Sequence, residues 1–113
     1  MRSYASLLVV LFMTIPAFGA ERPITIDDLL AVRSVSDPQV SPDGRSVVYV
    51  VSELDRATDK TNSDLWLVST SGGEPKRLTT SDGADGHPRW SPDGTSIAFT
   101  SSRGGSTQVW LLP

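Results

Sequence analysis

Cysteine is absent from the sequence, and histidine occurs only once. The missing cysteines exclude disulfide bonds and thiolate metal sites, and a single histidine restricts the choice of a catalytic base. Positive charge is also scarce, because 10 lysines and arginines face 13 acidic residues and give a formal net charge of −3. Since no basic patch is present, we expect no nucleic-acid partner.

No hydrophobic run is long enough to cross a bilayer, which takes about 20 residues. Arg2 precedes a short apolar core at residues 7–15, and Pro16 with several small residues follows it. This order is typical of a secretory signal peptide. We therefore predict a signal peptide over residues 1–19 with cleavage after Gly19. The protein is then expected to be exported, to the periplasm or the extracellular space, and to keep no stable membrane span after cleavage.

A helix-start signal follows within segment 20–35. Thr25 can accept a hydrogen bond from the backbone of Asp28, whose carboxylate can reach back to Thr25 in an acidic form of the capping box. Three apolar side chains at helical spacing would form one stripe: Ile26, Leu29 and Leu30. We predict a short N-terminal helix that ends near residues 33–36. Such a helix is marginal alone, so its stripe is expected to dock on the repeats or on another domain.

One motif is written twice, fifty residues apart, as SDPQVSPDGRSVVYV at 36–50 and GHPRWSPDGTSIAFT at 86–100. Self-similarity at this period indicates a repeat architecture. In each copy the Ser-Pro-Asp-Gly element, at 41–44 and at 91–94, fits a type I turn followed by a left-handed glycine. An apolar, β-branched run comes after each turn, so each copy predicts a β-hairpin.

Further strands complete the repeated unit. Residues 64–68 and 108–112 are equivalent third strands, and residues 75–79 predict a fourth strand in the first unit. Four antiparallel strands within about 45 to 50 residues describe a β-propeller blade. The predicted fold is therefore all-β. It is a β-propeller fragment with one complete four-stranded blade (36–80) and most of a second (81–113), preceded by the short N-terminal α-helix.

Several segments resemble the N-terminal propeller of the prolyl oligopeptidase family, especially its acylaminoacyl peptidase and dipeptidyl aminopeptidase-like branch. These segments are TIDDLL (25–30), VSDPQVSPDG (35–44), SDLWLV (63–68), GGEPKRLT (72–79) and HPRWSPDG (87–94). The resemblance implies a serine peptidase whose propeller caps an α/β-hydrolase domain and admits peptides rather than folded proteins. The catalytic serine, acid and histidine, and the peptide substrate, would then belong to a C-terminal domain outside these residues.

The sequence itself offers no catalytic site. The nucleophile elbow G-x-S-x-G does not occur, and Ser71 and Ser106 stand beside glycines without its spacing. We therefore expect no catalytic, cofactor-binding or metal-binding residue and no cofactor in this chain, which alone would not be an enzyme. His87 is predicted to make a structural hydrogen bond. Asp82 and Asp85 lie near glycines but miss the spacing of a calcium loop.

The polar stretch 53–63 is predicted as a solvated loop between the second and third strands. Charged residues of this stretch and the residue after it are expected on the surface: Glu53, Asp55, Arg56, Asp59, Lys60 and Asp64. If the loop faced a hydrolase domain, it could gate substrate. The three tryptophans, Trp66, Trp90 and Trp110, are expected in the core and between blades.

Two classes of function stay open. The first is the propeller part of an exported serine peptidase, which supplies scaffold and access control. The alternative is a non-enzymatic, TolB-like periplasmic propeller that binds protein partners, because that class shares the signal peptide and very similar repeats. TolB-like proteins carry a sizeable domain between the signal peptide and the first blade. Only segment 20–35 stands at that place here, which favours the peptidase.

Overall fold

The computed structural model describes Gly19 and residues 21–113, so the predicted signal peptide, apart from Gly19, lies outside the described residues. One short helix and seven strands follow one another along the described chain. They are α1 Ile26–Leu30, β1 Ser34–Val40, β2 Ser46–Asp55, β3 Lys60–Ser69, β4 Lys76–Arg77, β5 Asp85–Trp90, β6 Ile97–Ser101 and β7 Gln108–Leu112. Within the described residues, no helix is long and apolar enough to cross a membrane.

The strands form two antiparallel sheets, each a meander in which neighbours in sequence pair. The first sheet has the order β1-β2-β3-β4 and is called blade 1, and the second has the order β5-β6-β7 and is called blade 2. The predicted four-stranded unit followed by three strands of a second is confirmed. One end of both sheets carries the Ser-Pro-Asp-Gly turns. The opposite end, called the link end, carries the β2–β3 turn and the segment 78–84 that joins the blades.

Both Ser-Pro-Asp-Gly turns have the predicted geometry. Gly44 and Gly94 have φ angles of 73° and 72°, in the left-handed region that glycine adopts without strain. In each turn the glycine N–H donates to the carbonyl of the first serine at 2.9 Å. In the second turn, hydrogen bonds from Ser91 and Thr95 lower the pKa of Asp93 to about 2. The turn residues therefore fix the hairpins locally.

Each blade has a bulge at the equivalent place in its first strand. The pairing register shifts within residues 36–39 of β1 and within residues 86–89 of β5. Asp37 and His87 occupy the bulges with φ angles of 48° and 51°, a region that few non-glycine residues adopt. Blade 2 therefore copies blade 1 in backbone detail as well as in sequence.

Helix α1 has the predicted cap but ends early. The backbone N–H of Asp28 donates to Thr25 Oγ1 at 3.3 Å, and the backbone N–H of Thr25 donates to Asp28 Oδ2 at 2.8 Å. The helix stops at Leu30 instead of continuing to residues 33–36. The reason is that the chain is already extended at Ser34, where β1 begins to pair with β2.

The repeats do not cover the apolar stripe of α1. Ile26 and Leu29 are 75% and 58% exposed. Polar contacts hold the helix at the link end instead, because Arg56 donates to the Asp27 carbonyl at 2.9 Å and to its carboxylate at 3.2 Å. Docking on another domain is the alternative that remains for this stripe.

Most of the polar stretch 53–63 belongs to strands, so the predicted long loop is wrong. β2 extends to Asp55 and β3 begins at Lys60, and these two residues form the last pair between the strands. Cross-strand pairs continue the hairpin beyond its apolar part, which leaves only residues 56–59 for the turn. The fourth strand is shorter than predicted, at Lys76–Arg77.

A small apolar core lies between the two sheets. Val48, Val50 and Leu65 come from blade 1, Ile97 and Phe99 come from blade 2, and none is more than 6% exposed. Alternate residues of β2 and of β6 supply four of these side chains, as the pleat of a strand requires, and β3 supplies Leu65. Each blade therefore buries its apolar face only against its neighbour.

A candidate site in the cleft between the blades

A cleft of about 570 Å³ opens between the blades at the link end. The β2–β3 hairpin forms one wall, and the joining segment with the end of β6 forms the other. All of the lining residues are small or polar: Asp55, Thr58, Lys60, Thr61, Asn62, Asp82, Gly83, Ala84 and Ser102. Ligand sites of this size, about 300–1,000 Å³, are usually lined by apolar side chains. This cleft therefore suits a polar ligand or another protein segment.

Gly83 sets the position of the cleft wall that the joining segment 78–84 forms. A Cβ on Gly83 would lie 2.7 Å from the backbone nitrogen of Arg103 and 2.9 Å from the carbonyl carbon of Ser102. The neighbouring Ala84 N–H donates to Ser102 Oγ at 3.0 Å. Only a residue without a side chain lets the joining segment lie this close to the end of β6.

We expect Gly83→Ala to lower the free energy of unfolding by about 1–3 kcal/mol, because the added methyl group overpacks this contact. Gly86→Ala is the matched control, since a Cβ there meets no atom within 4 Å. Its effect should stay within about 0.5 kcal/mol. Urea unfolding followed by circular dichroism measures both variants. Equal losses for the two alanines would contradict the close packing of the joining segment.

Two carboxylates are buried next to the cleft, and the first belongs to Asp85. It is 1% exposed, accepts hydrogen bonds from Ser81 Oγ at 3.2 Å, and pairs with Arg103 Nη2 at 3.2 Å. The guanidinium of Arg103 lies 5.0 Å from the ring centre of Phe99 and 5.2 Å from that of Trp110. Cation–π contacts therefore hold the arginine that compensates the buried charge.

The second buried carboxylate is Asp64, which is 4% exposed. Arg77 Nη2 donates to it, and Asn62 Nδ2 donates to it at 3.2 Å. Burial raises the pKa of Asp64, the hydrogen bond from Arg77 opposes the rise, and the charge of Asp85 adds to it. The prediction that Asp64 lies on a solvated surface is therefore wrong. Asn62 Oδ1 is also buried, and it has no hydrogen-bond partner within the described residues.

The other charged residues of the hairpin lie on or near the surface, as predicted for them. Asp55 and Lys60 line the cleft. Glu53 pairs with Arg33 at 2.9 Å and is half-buried. Asp59 is exposed at the turn, where its φ angle is 53°. The hairpin tip is therefore the polar rim of the cleft.

His87 and Thr100 form the contact that most resembles a base beside a hydroxyl nucleophile. His87 Nδ1 lies 3.0 Å from Thr100 Oγ1, so the predicted structural hydrogen bond of His87 is confirmed. Thr100 donates its single hydroxyl proton to the carbonyl of Gly86 at 3.2 Å. Nδ1 must then donate to Thr100 rather than remove its proton. This pair therefore orders the bulge and does not activate a nucleophile.

The other candidate serine and aspartate residues lie apart from one another in the structure. Ser71 is exposed and its hydroxyl lies 2.8 Å from Ser69 Oγ, and Ser106 Oγ accepts a hydrogen bond from Gln108 at 3.4 Å. Asp82 is exposed in the cleft wall, whereas Asp85 is buried on Arg103. In the described part of the chain, no group of three or more histidine, aspartate or glutamate side chains could hold a metal ion.

The tryptophans have different environments. Trp90 lies between the blades, where its Nε1 donates to the carbonyl of Gln39 at 3.0 Å, so its predicted inter-blade role is confirmed. Trp66 is half-buried on β3. Trp110 is 37% exposed and stacks on Arg103, so the prediction of core packing is wrong for this residue.

An ion pair adds to the contact between the blades. Arg89 Nη1 of blade 2 donates to both carboxylate oxygens of Asp37 in blade 1, at 2.9 and 3.1 Å. The hydrogen bond from Arg89 lowers the pKa of Asp37 against the opposing effect of its partial burial. Sequence patterns gave no sign of this pair, because its members lie in different repeats.

The two stacked antiparallel sheets can be compared with known families. The family described as PD40, TolB beta propeller domain, matches residues 30–113. The chain belongs to this propeller family. The match includes every strand of both blades, and it confirms the predicted all-β propeller fragment.

Relatives of this TolB-type propeller include peptidases and TolB proteins. The chain is 39% identical over 90 residues to the uncharacterized peptidase YuxL of Bacillus subtilis. This alignment covers 79% of this chain and 14% of the relative. It is 36% identical over 86 residues to dipeptidyl-peptidase 5 of Porphyromonas gingivalis, covering 76% and 13%. It is 39% identical over 82 residues to a TolB homolog of Chlorobium luteolum, covering 73% and 18%.

A solved structure with the same architecture is the putative TolB from Agrobacterium tumefaciens. It superposes with a TM-score of 0.53 at 34% identity and covers 65% of this chain and 24% of that protein. The chain thus spans a small part of the length of the curated relatives it matches. The relatives named as peptidases confirm the resemblance of this propeller to peptidase propellers.

Proposed function

We propose that this chain is the N-terminal propeller part of an exported serine peptidase that cleaves peptides, of acylaminoacyl or dipeptidyl aminopeptidase type. The propeller gives the scaffold and controls substrate access. Catalysis belongs to an α/β-hydrolase domain outside these residues. The alternative is a TolB-like periplasmic propeller that binds protein partners and has no enzymatic activity.

The length of the region that aligns with the peptidase YuxL is the observation that supports this proposal. A match that covers 79% of the chain must begin before Ile26, so the similarity to YuxL includes helix α1 as well as blade 1. The match to the TolB homolog covers 73% and does not require the helix. A capped helix placed directly before the first blade is the feature that favours a peptidase over a TolB-like protein.

The geometry of the link end supports a role in access. The open polar cleft lies at this end, and Arg56 ties α1 with its exposed apolar stripe to the same end. Two buried ion pairs, Asp64–Arg77 and Asp85–Arg103, stiffen the region beside the cleft. The exposed apolar stripe of α1 suits contact with a second domain, and the polar cleft beside it suits a path for substrate.

A serine-directed fluorophosphonate probe tests this function. We expect the full-length protein to be labelled and to release p-nitroaniline from dipeptidyl- or acetyl-aminoacyl-p-nitroanilide substrates. The isolated chain is expected to show neither reaction, because its single histidine orders a bulge and no nucleophile elbow is present.

Heat-denatured full-length protein is the control for non-specific labelling. A native full-length protein without labelling or hydrolysis would contradict the peptidase. Stable co-purification of that inactive protein with envelope proteins would support the TolB-like alternative.

A further inference from the structure

Strand β3 has an outer edge that β4 covers only in part. The cover ends at Leu65, whose N–H donates to Thr79 Oγ1 at 3.0 Å and whose carbonyl accepts from the N–H of Leu78 at 2.8 Å. Backbone groups of alternate residues point to the same side of a strand, so those of Thr61 and Ser63 point outward as well. Within the described residues, they make no hydrogen bond outside the β2–β3 hairpin. We call these outward N–H and C=O groups the open edge.

The joining segment leaves this edge free because it turns away toward blade 2. Continued pairing in the register of β3 with β4 would place Thr80 opposite Ser63 and Asp82 opposite Thr61. Residues 82–84 instead form the far wall of the cleft, where Gly83 packs against the end of β6. The cleft therefore occupies the place that a longer β4 would fill.

The lining of the cleft shows that it meets β3 along this edge rather than on one face. Lys60, Thr61 and Asn62 all line the cleft, although successive side chains of a strand point to opposite faces. Only an opening that runs along the edge of the strand contacts all three. The backbone of the open edge is therefore accessible from the cleft.

We propose that the cleft binds a short extended peptide as an added strand on the open edge. The added strand makes main-chain hydrogen bonds with the outward groups of Thr61 and Ser63, a mode of recognition known as β-augmentation. These two residues span about 7 Å of strand, so the segment held there has about four residues. That the peptide is a substrate rests on the proposed function, whereas the mode of binding does not.

The charges of the cleft favour a peptide that carries lysine or arginine. Asp55 and Asp82 line opposite walls, and neither forms an ion pair within the described residues. Lys60 is the one cation among the lining residues. Because two carboxylates stand against one ammonium group, the cleft attracts a basic side chain and repels an acidic one.

The walls of the cleft exclude a second copy of this chain as the occupant. A second copy would bring its own open edge, which is flanked by the same hairpin turn and the same joining segment. These flanks would collide before the two edges came within hydrogen-bond distance. A free peptide has no such flanks, so it fits between the walls.

Fluorescence anisotropy with the full-length protein tests the proposal. The probe is fluorescein-labelled Thr-Lys-Thr-Lys-Thr amide, and prior treatment with the fluorophosphonate prevents its hydrolysis. We expect saturable binding with a Kd below about 1 mM. The same peptide methylated on its internal backbone nitrogens keeps both charges but loses its main-chain donors, so it should bind at least about fivefold more weakly. No binding of the first peptide, or equal binding of both, would overturn the proposal.

Two variants locate the peptide on the open edge. Thr61→Pro removes one outward N–H without removing a hydrogen bond between β2 and β3, a change that strand edges tolerate, and it should lower the affinity about three- to tenfold. Asp82→Asn should lower it about two- to fivefold, the range of an exposed ion pair, and it serves where Thr61→Pro does not fold. The matched control is Glu74→Gln, an exposed carboxylate at the opposite end of blade 1, which should leave the affinity unchanged. Unchanged affinity in either folded variant would place the peptide elsewhere and overturn the proposal.

Two further measurements separate this proposal from its alternatives. Sedimentation velocity should show no dimer that depends on Thr61, and a dimer abolished by Thr61→Pro would assign the open edge to a second copy and overturn the proposal. Anisotropy reads binding without hydrolysis. A protein that binds the peptide but is not labelled by the fluorophosphonate would therefore contradict the peptidase and support strand addition, and a labelled protein that does not bind it would do the reverse.

Discussion

Replacing Arg103 with alanine is expected to lower the free energy of unfolding by about 3–5 kcal/mol, the usual cost of leaving a buried charge without its partner. Asp85 is 1% exposed, and Arg103 is the cation that pairs with it. The same substitution removes a flat group that stacks on Phe99 and Trp110. Urea unfolding at neutral pH, followed by circular dichroism, measures the change.

Three further variants separate charge from packing in this pair. Arg103→Lys keeps the charge but loses the planar stack and should give an intermediate loss. Asp85→Asn combined with Arg103→Ala removes the uncompensated charge and should recover part of the stability lost by Arg103→Ala alone. Arg45→Ala truncates an exposed arginine and should change stability by less than about 0.5 kcal/mol. A loss below about 1 kcal/mol for Arg103→Ala would contradict the buried pair.

Leu65→Ala is expected to cost about 2–5 kcal/mol, because it removes buried methyl groups and leaves a cavity that the sheets fill only in part. Leu65 is 0% exposed and packs with Val48 and Val50 of its own blade and with Ile97 and Phe99 of the other. Since the core spans both blades, the loss should appear in one cooperative transition rather than in blade 1 alone.

Leu111→Ala makes the same chemical change at a position that is 68% exposed in this chain. We expect its effect to stay within about 0.5 kcal/mol. Intrinsic fluorescence and circular dichroism should report the same urea midpoint for each variant. Similar costs at residues 65 and 111, or two separate transitions for Leu65→Ala, would argue against a shared core.

Local chemistry allowed much of the fold to be predicted from sequence. The Ser-Pro-Asp-Gly turns depend on proline and on a left-handed glycine within four residues, so their geometry could be read directly. The cap of α1 depends on Thr25 and Asp28 alone. The doubled motif then indicated a propeller, because one unit cannot bury its own faces.

Features that depend on distant residues could not be predicted. Asp64 is the last charge of a polar stretch in the sequence. In the structure its carboxylate is buried and pairs with Arg77, thirteen residues later, which offsets the cost of burying the charge. The environment of Trp110 likewise depends on Arg103, which lies in the turn between β6 and β7. Helix α1 ends early because β1 pairs with β2. In each case the deciding contact leaves no periodic signal in the sequence.

The two bulges share a backbone but differ in side chain, and this difference bears on how such proteins evolve. Repeat proteins grow by duplication of whole units, and a copied unit must match both of its neighbours. An extra copy of blade 1 inserted before blade 2 would place Gln39 and Val40 where Asp37 needs Arg89 and where a carbonyl needs Trp90. The surface around Asp37 therefore matches blade 2 as its neighbour and does not match a second copy of blade 1.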